Sequence, residues 1–422
     1  MTEDIFKLRD LCEYITVGFV GSMSKLFVKE GVPLLRGQNI KPYQLNLENL
    51  KFIPREIHEK WKKSALKAGD VVIVRVGYPG TACVIPEGLG ELNAASLVIV
   101  RPKSSQLNSH YLCYVINSPW GKATIKGRLV GVAQQVFNTN TAAELELPVP
   151  SISMQRKIAA ILSAYDDLIE NNLGRIKILE EMAQNLYREW FVKFRFPGHQ
   201  KVKMVDSPLG KIPEDGWKIK RLQNLVETQY GYTASTQEEP IGPKFLRGMD
   251  INKQTFIDWA MVPYCEIEDE EYEKFKLYIG DIVVIRMADP GKVGMVEKEI
   301  EGIFASYLVR LRISSQALTP YFLFYFLLSD RYQGYIAGAS TGTTRKSASA
   351  GVLVGIDMVL PPKPLLDRFE SLILPIRKLI VSLIDNNTNL RRTRDLLLPK
   401  IISGELDISE LDIETNNERL QN

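Results

Sequence analysis

Arg36-Gly37 recurs as Arg247-Gly248, Gly69-Asp70 as Gly280-Asp281, Arg75 as Arg286, Pro79-Gly80 as Pro290-Gly291 and Gly127 as Gly338, always 211 residues apart. Ala95-Ser96 with Ala305-Ser306, and Tyr111 with Tyr321, continue the match at an offset of 210. Chance matches do not keep register over such a stretch, so the chain holds two copies of one unit. Whatever fold it adopts is built twice, each copy a globular part followed by a long helix.

The helices are read from their apolar spacing. Between Ile152 and Phe194, the residues Leu162, Tyr165, Ile169, Ile176, Leu179, Ala183 and Leu186 fall three or four apart, with Asn172 filling a polar slot. Between Leu365 and Ser403, Ile380, Leu383, Leu390 and Leu397 repeat the pattern around Asn387. Each stretch runs to roughly 40 residues, far above the usual ~11 to 12 of a core helix, and ~1.5 Å per residue makes it about 60 Å long. Two such stripes are expected to pair as a coiled coil, and an antiparallel pairing brings Asn171-Asn172 to Asn386-Asn387. Pro375 interrupts the second stripe, where a kink or a register shift is expected.

Within each copy the clearest strand is a β-branched run closed by a Pro-Gly turn: GDVVIVRVGYPG from Gly69 and GDIVVIRMADPG from Gly280. A further strand, an aromatic helical segment (HYLCYVINS, PYFLFYFLLS), a Gly-bounded loop and a Pro-rich junction (LPVPS, LPPKP) lead into each long helix. The expected class is α+β: two similar globular domains joined by two long helices that form a coiled coil, antiparallel if the two Asn pairs meet. The expected map is residues 1–150, a central helix 151–196, residues 197–362, a second helix 363–408 and a polar tail 409–422.

With 422 residues, 45% hydrophobic and 24% charged, the chain has room for two or three domains. YFLFYFLL from Tyr321 falls well short of the ~20 apolar residues a membrane span needs, and MTEDIFKLRD lacks an apolar signal core, so no membrane association and a cytoplasmic location are expected. The four cysteines form no CxxC pair and the three histidines share no ligand spacing, so no metal site is expected.

GDVVIVR…PG, LLRGQNI, the LPVP and LPPKP junctions, LYREWFVKF at the end of the first helix, GKIPEDGW from Gly210 and LLPKIISGELD from Leu397 together resemble the DNA-sequence specificity subunit of Type I restriction-modification systems. The resemblance covers nearly the whole chain. It implies that each globular part is a target recognition domain for one half of a split double-stranded DNA site. It implies that the antiparallel helices separate the domains and dock modification (methyltransferase) subunits, two of them, with restriction/translocase subunits as further partners. It also implies that S-adenosylmethionine and ATP/Mg are held by those partners, with no cofactor in this chain.

Charge bears on DNA only in part. Residues 1–150 carry 18 basic against 13 acidic side chains, whereas residues 197–362 carry 19 against 21, including six acids in EIEDEEYE from Glu266. The Gly-bounded loops offer Lys126, Arg128, Gln134, Gln135 and Asn138 in one copy and Arg345, Lys346 and Ser347 in the other, types suited to phosphates and adenine edges and equally to a structural turn. Arg36 with Asn39, and Arg247 with Asp250, follow a strand and are placed to enter a groove. Residues identical in both copies suit structural or phosphate roles better than base reading, which belongs where the copies diverge, as in Lys41 to Lys63 and Lys253 to Lys276. The run Arg391-Arg392-Thr393-Arg394 reads as a solvated helix face, with partner docking as the sharper alternative.

Catalytic motifs are wanting. The nearest approach to an Asn/Asp-Pro-Pro-aromatic methyltransferase loop is Asn117-Ser118-Pro119-Trp120, and no GxxxxGK[ST] phosphate loop occurs. The expected function is a non-catalytic DNA recognition subunit that brings partner enzymes to a bipartite target. A reading from another class is a coiled-coil scaffold whose globular parts bind protein or RNA.

Overall fold

The computed structural model describes residues 5–129, 136–340, 346–403 and 405–413. The chain forms two compact units, Met1–Glu170 with Asn389–Asn422, and Asn171–Thr388. Each unit therefore contains one globular part and portions of both long helices.

In the first unit Gly69, at φ +83°, turns the chain into strand Val71–Val74, all four residues of which are buried. Such a run suits a strand covered on both faces. Val71 and Ile73 join Val98, Val100 and the helix Ser109–Asn117 on one side, while Val72 and Val74 join Leu97, Ile99, Leu35 and Ile40 on the other. The antiparallel order is Cys12–Val17, Leu97–Pro102, Val71–Val74, Ala82–Val84, with Val72 opposite both Ile99 and Cys83. A second, mixed sheet sets Val32–Leu35 parallel to Leu92–Ala94. Asp70 accepts both Nε and Nη2 of Arg101 at 2.7 Å and the Lys67 N–H at 2.8 Å, tying the turn to the neighbouring strand.

The second unit repeats this design. Its four-stranded sheet runs Val226–Tyr230, Leu308–Ile313, Ile282–Ile285, Val293–Met295, and Lys244–Leu246 lies parallel to Gly302–Phe304. Asp281 accepts from Arg312 Nε and Nη2 at 2.9 and 2.8 Å, the counterpart of Asp70 with Arg101. The recurring Gly-Asp pair is thus a structural lock.

The long helices are Ile152–Tyr187 and Lys363–Ile402. In the first unit Ile158 and Leu162 pack with Leu398 and Ile401, and Asp166 accepts from Arg394 and from the Tyr114 hydroxyl. In the second unit Asn172 donates to Asn387 at 2.8 Å, and Ile176 packs with Ile380, Leu383 and Ile384. Within each unit the numbering of one helix rises as that of the other falls, the antiparallel pairing that the family resemblance implies.

Particular positions depart from expectation. Ile169 is buried, while Tyr165, Leu179, Leu186, Leu390 and Leu397 are half-buried, and the enclosed position beside Leu397 is Leu398. The helix continues through Pro375 without a break, the proline lying on its exposed side. Arg394 is not part of a solvated face: it is 8% exposed, paired with Asp166 and Asp395, with its guanidinium 4.0 Å from the Tyr43 ring centroid. Arg377, also in the seam, is fully buried against Glu180 and Glu297. Burial is the largest single influence and opposes its charge, but the hydrogen bonds to Glu297 together with the charges of Glu297 and Glu180 outweigh it and hold the pKa above the usual arginine value.

Candidate nucleic-acid interface

In each globular part a strand ends in the Arg-Gly motif and turns through one short helical loop, Gly37–Asn39 or Gly248–Asp250. The third residue of the loop closes it by accepting the N–H of the arginine, at 3.1 Å for Asn39 and 2.8 Å for Asp250. The residue type then decides what happens to the guanidinium. Asp250 also takes Nε and Nη2 of Arg247, at 3.1 and 2.9 Å. Asn39, a neutral amide, spends its N–H groups on the carbonyls of Asn46 and Glu48, at 3.0 and 3.2 Å. Arg36 instead donates to the Asn49 carbonyl at 3.2 Å and stands 5.9 Å from the Phe27 ring centroid.

These contacts correct the expectation of a groove-facing pair. Asn39 is 0% exposed with its amide used inside the loop, and Asp250 is committed to Arg247, so both organise their own loop. The signal was present as capping-box spacing, a polar side chain three residues after the chain turns. Asn138 likewise caps the helix Thr139–Ala143, accepting the Thr141 N–H at 2.9 Å.

Lys126 and Arg128 are exposed in the last turn of the helix Pro119–Leu129. Lys346 is exposed, and its carbonyl accepts the Ala288 N–H at 3.0 Å, while Ser347 bridges to Met287. Gln134, Gln135 and Arg345 lie outside the described residues.

In the second unit the Arg247 loop borders a cleft of about 600 Å³, whose walls include Tyr232, Met249, Asn252, Asp289 and Tyr307. Met249 and Tyr307 are 67% and 55% exposed, so the cleft opens on apolar and aromatic surface. Sequence reasoning missed this cleft, because its walls come from four loops distant in the chain. Among the described residues no cluster of His, Cys, Asp and Glu is arranged to hold a metal, and no helix is long and apolar enough to cross a membrane.

Residues 3–181 match the family model described as Type I restriction modification DNA specificity domain. Over 319 residues, 72% of this chain and 70% of the relative, the sequence is 28% identical to the type I restriction enzyme MjaIX specificity subunit of Methanocaldococcus jannaschii. It is 22% identical to the HindI specificity subunit of Haemophilus influenzae, covering 87% of this chain and 92% of that one. Among solved structures, the S subunit of a Type I restriction-modification system from M. genitalium has the same fold, with a TM-score of 0.54, 14% identity and coverage of 95% and 96% of the two chains.

Proposed function

The chain belongs to the DNA specificity subunits of type I restriction-modification systems, and on that premise we propose that it recognises a bipartite double-stranded DNA target, one half-site to each globular part. It is not itself an enzyme; it directs partner methyltransferase and restriction subunits to the site. The observation that carries this reading is the duplication: one recognition fold, built twice on one chain around the same Gly-Asp and Arg-Gly frames, suits a target read in two parts.

On this reading two modification subunits associate with the chain, S-adenosylmethionine and ATP/Mg bind to the partners, and the assembly works on DNA in the cytoplasm. Exposed Lys126, Arg128 and Lys346 supply phosphate contacts, as do the segments carrying Gln134, Gln135 and Arg345. Arg36 and Arg247 hold the loops beside them. The test is retention of one DNA sequence by the purified complex against scrambled competitors in moderate salt, where non-specific binding fades. Equal retention of scrambled DNA, or methyl transfer by the purified chain alone, contradicts the assignment.

A further inference from the structure

The two globular parts share one hairpin and differ at its tip. In the first, the Val74 N–H donates to Thr81 O at 2.8 Å and the Gly80 N–H to Val74 O at 3.1 Å. In the second, the Ile285 N–H donates to Lys292 O at 2.8 Å and the Gly291 N–H to Ile285 O at 2.9 Å. The Arg75 carbonyl accepts from Phe137 at 3.0 Å, and the Arg286 carbonyl from Ala348 at 2.9 Å. Gly80 and Gly291, at φ +87° and +93°, close the two hairpins; a Cβ on them would lie 2.9 Å from Ile125 and 3.0 Å from Ile336. Each of these residues in one copy answers to its repeat partner in the other.

Three residues stand between the shared arginine and the shared Pro-Gly: Val76-Gly77-Tyr78 in one copy and Met287-Ala288-Asp289 in the other. The backbone does not follow the change of residue. Gly77 sits at φ +88° and Ala288 at φ +70°, although the left-handed region costs a residue with a Cβ roughly 1–2 kcal/mol. The hairpin shape is therefore held by its frame, and the tip side chains are free to differ.

Of those side chains Val76, Tyr78 and Asp289 face outward, and Met287 is half-buried. Val76 and Tyr78 are 59% and 83% exposed, and Asp289 is exposed, its carboxylate making no hydrogen bond or ion pair among the described residues. Met287, Ala288 and Asp289 line the 600 Å³ cleft together with Met249. The arginine and the Pro-Gly that bound the tip are the same in both copies, Arg75 with Arg286 and Pro79-Gly80 with Pro290-Gly291, whereas all three residues between them differ.

We propose that this tip reads bases, one tip to each half-site, with Val76 and Tyr78 acting in the first globular part and Met287 and Asp289 in the second. The Asp289 carboxylate is suited to accept from the exocyclic amine of cytosine, whereas Val76 and Tyr78 offer apolar contact suited to a thymine methyl. The proposal rests on the specificity-subunit reading, and one experiment separates the two.

The full chain, assembled with its modification subunits, is presented with a library of half-site sequences, and the methylated adenines are sequenced. Asp289→Asn, which preserves volume, is expected to change preference about tenfold or more at a base of one half-site and to leave the other half-site alone. The tip transplant Met287→Val, Ala288→Gly, Asp289→Tyr shifts the same half-site further. If the unaltered chain gives a bipartite motif but both variants keep its preference, or lower methylation equally on every sequence, the tip does not read bases. If the unaltered chain gives no motif, the specificity-subunit reading falls and the tip proposal with it.

Discussion

Replacing Arg377 with Met removes the cation from an enclosed cluster in the second unit, and the consequence follows from its neighbours. The Arg377 side chain is 0% exposed, and those of Glu297 and Glu180 are 5% and 14% exposed. Nε donates to Glu297 at 2.8 Å, Nη1 to Glu180, and Nη2 to the Thr255 carbonyl at 3.0 Å. Removing one member of a buried pair costs about 3–5 kcal/mol, because the remaining charge is left without compensation. Two carboxylates lose one cation here, which places the cost toward the upper end. At ~2–4 °C per kcal/mol for a unit of this size, the unfolding midpoint should fall by about 10 to 20 °C. The loss should depend on pH. Burial already raises the Glu180 pKa against the opposing pull of Arg377, and without the cation it rises further. The folded form then holds a proton that the unfolded chain releases, so the deficit shrinks as pH falls through the raised pKa. Calorimetry at pH 7.5 and 5.5 measures this, and adding Glu180→Gln and Glu297→Gln to Arg377→Met should recover most of the stability. A deficit below ~1 kcal/mol, or one equal at both pH values, would refute the reasoning.

Gln155 in the first long helix and Glu370 in the second should respond to exchange in opposite directions. Buried Gln155 accepts from the Asn108 N–H at 2.8 Å and donates to the carbonyls of Gln106 and Pro150 at 3.0 and 2.9 Å, so Gln155→Glu should cost about 2–3 kcal/mol at neutral pH. Burial raises the Glu370 pKa against the opposing hydrogen bond from the Tyr321 N–H at 3.3 Å, so Glu370→Gln should add about 1 kcal/mol at neutral pH. That gain should vanish as pH falls through the raised pKa, where Glu370 is already neutral, and a lowered midpoint at pH 7.5 would contradict it. Arg394→Met should cost less than Arg377→Met, about 1–3 kcal/mol, because Asp166 is 25% exposed and keeps the Tyr114 hydroxyl. Equal costs in the same melting experiment would show that exposure does not set the difference.

The duplication, the central strands and the two long helices were legible because each depends on local pattern: a constant offset, a β-branched run, a three-four stripe. What escaped depends on partners far along the chain. Arg377 and Arg394 look like solvated helix cations until Glu297, Glu180 and Asp166 are brought to them. Asn39 looks like a base-reading amide until its carbonyl partners close the loop over it. Pro375 should break a helix on propensity, yet it falls on the exposed side, where the apolar seam keeps the helix running. The hairpin tip is silent in the sequence because the repeat displays only the residues that match, while the three that differ carry no pattern of their own.

The central claim is that each globular part reads its own half of the target. Its most direct measurement replaces residues 1–150 with the equivalent part of a relative that recognises another sequence, and sequences the adenines methylated by the resulting complex. The account predicts a motif in which one half-site is exchanged and the other is unchanged. A motif altered in both halves, or unaltered in either, would contradict it.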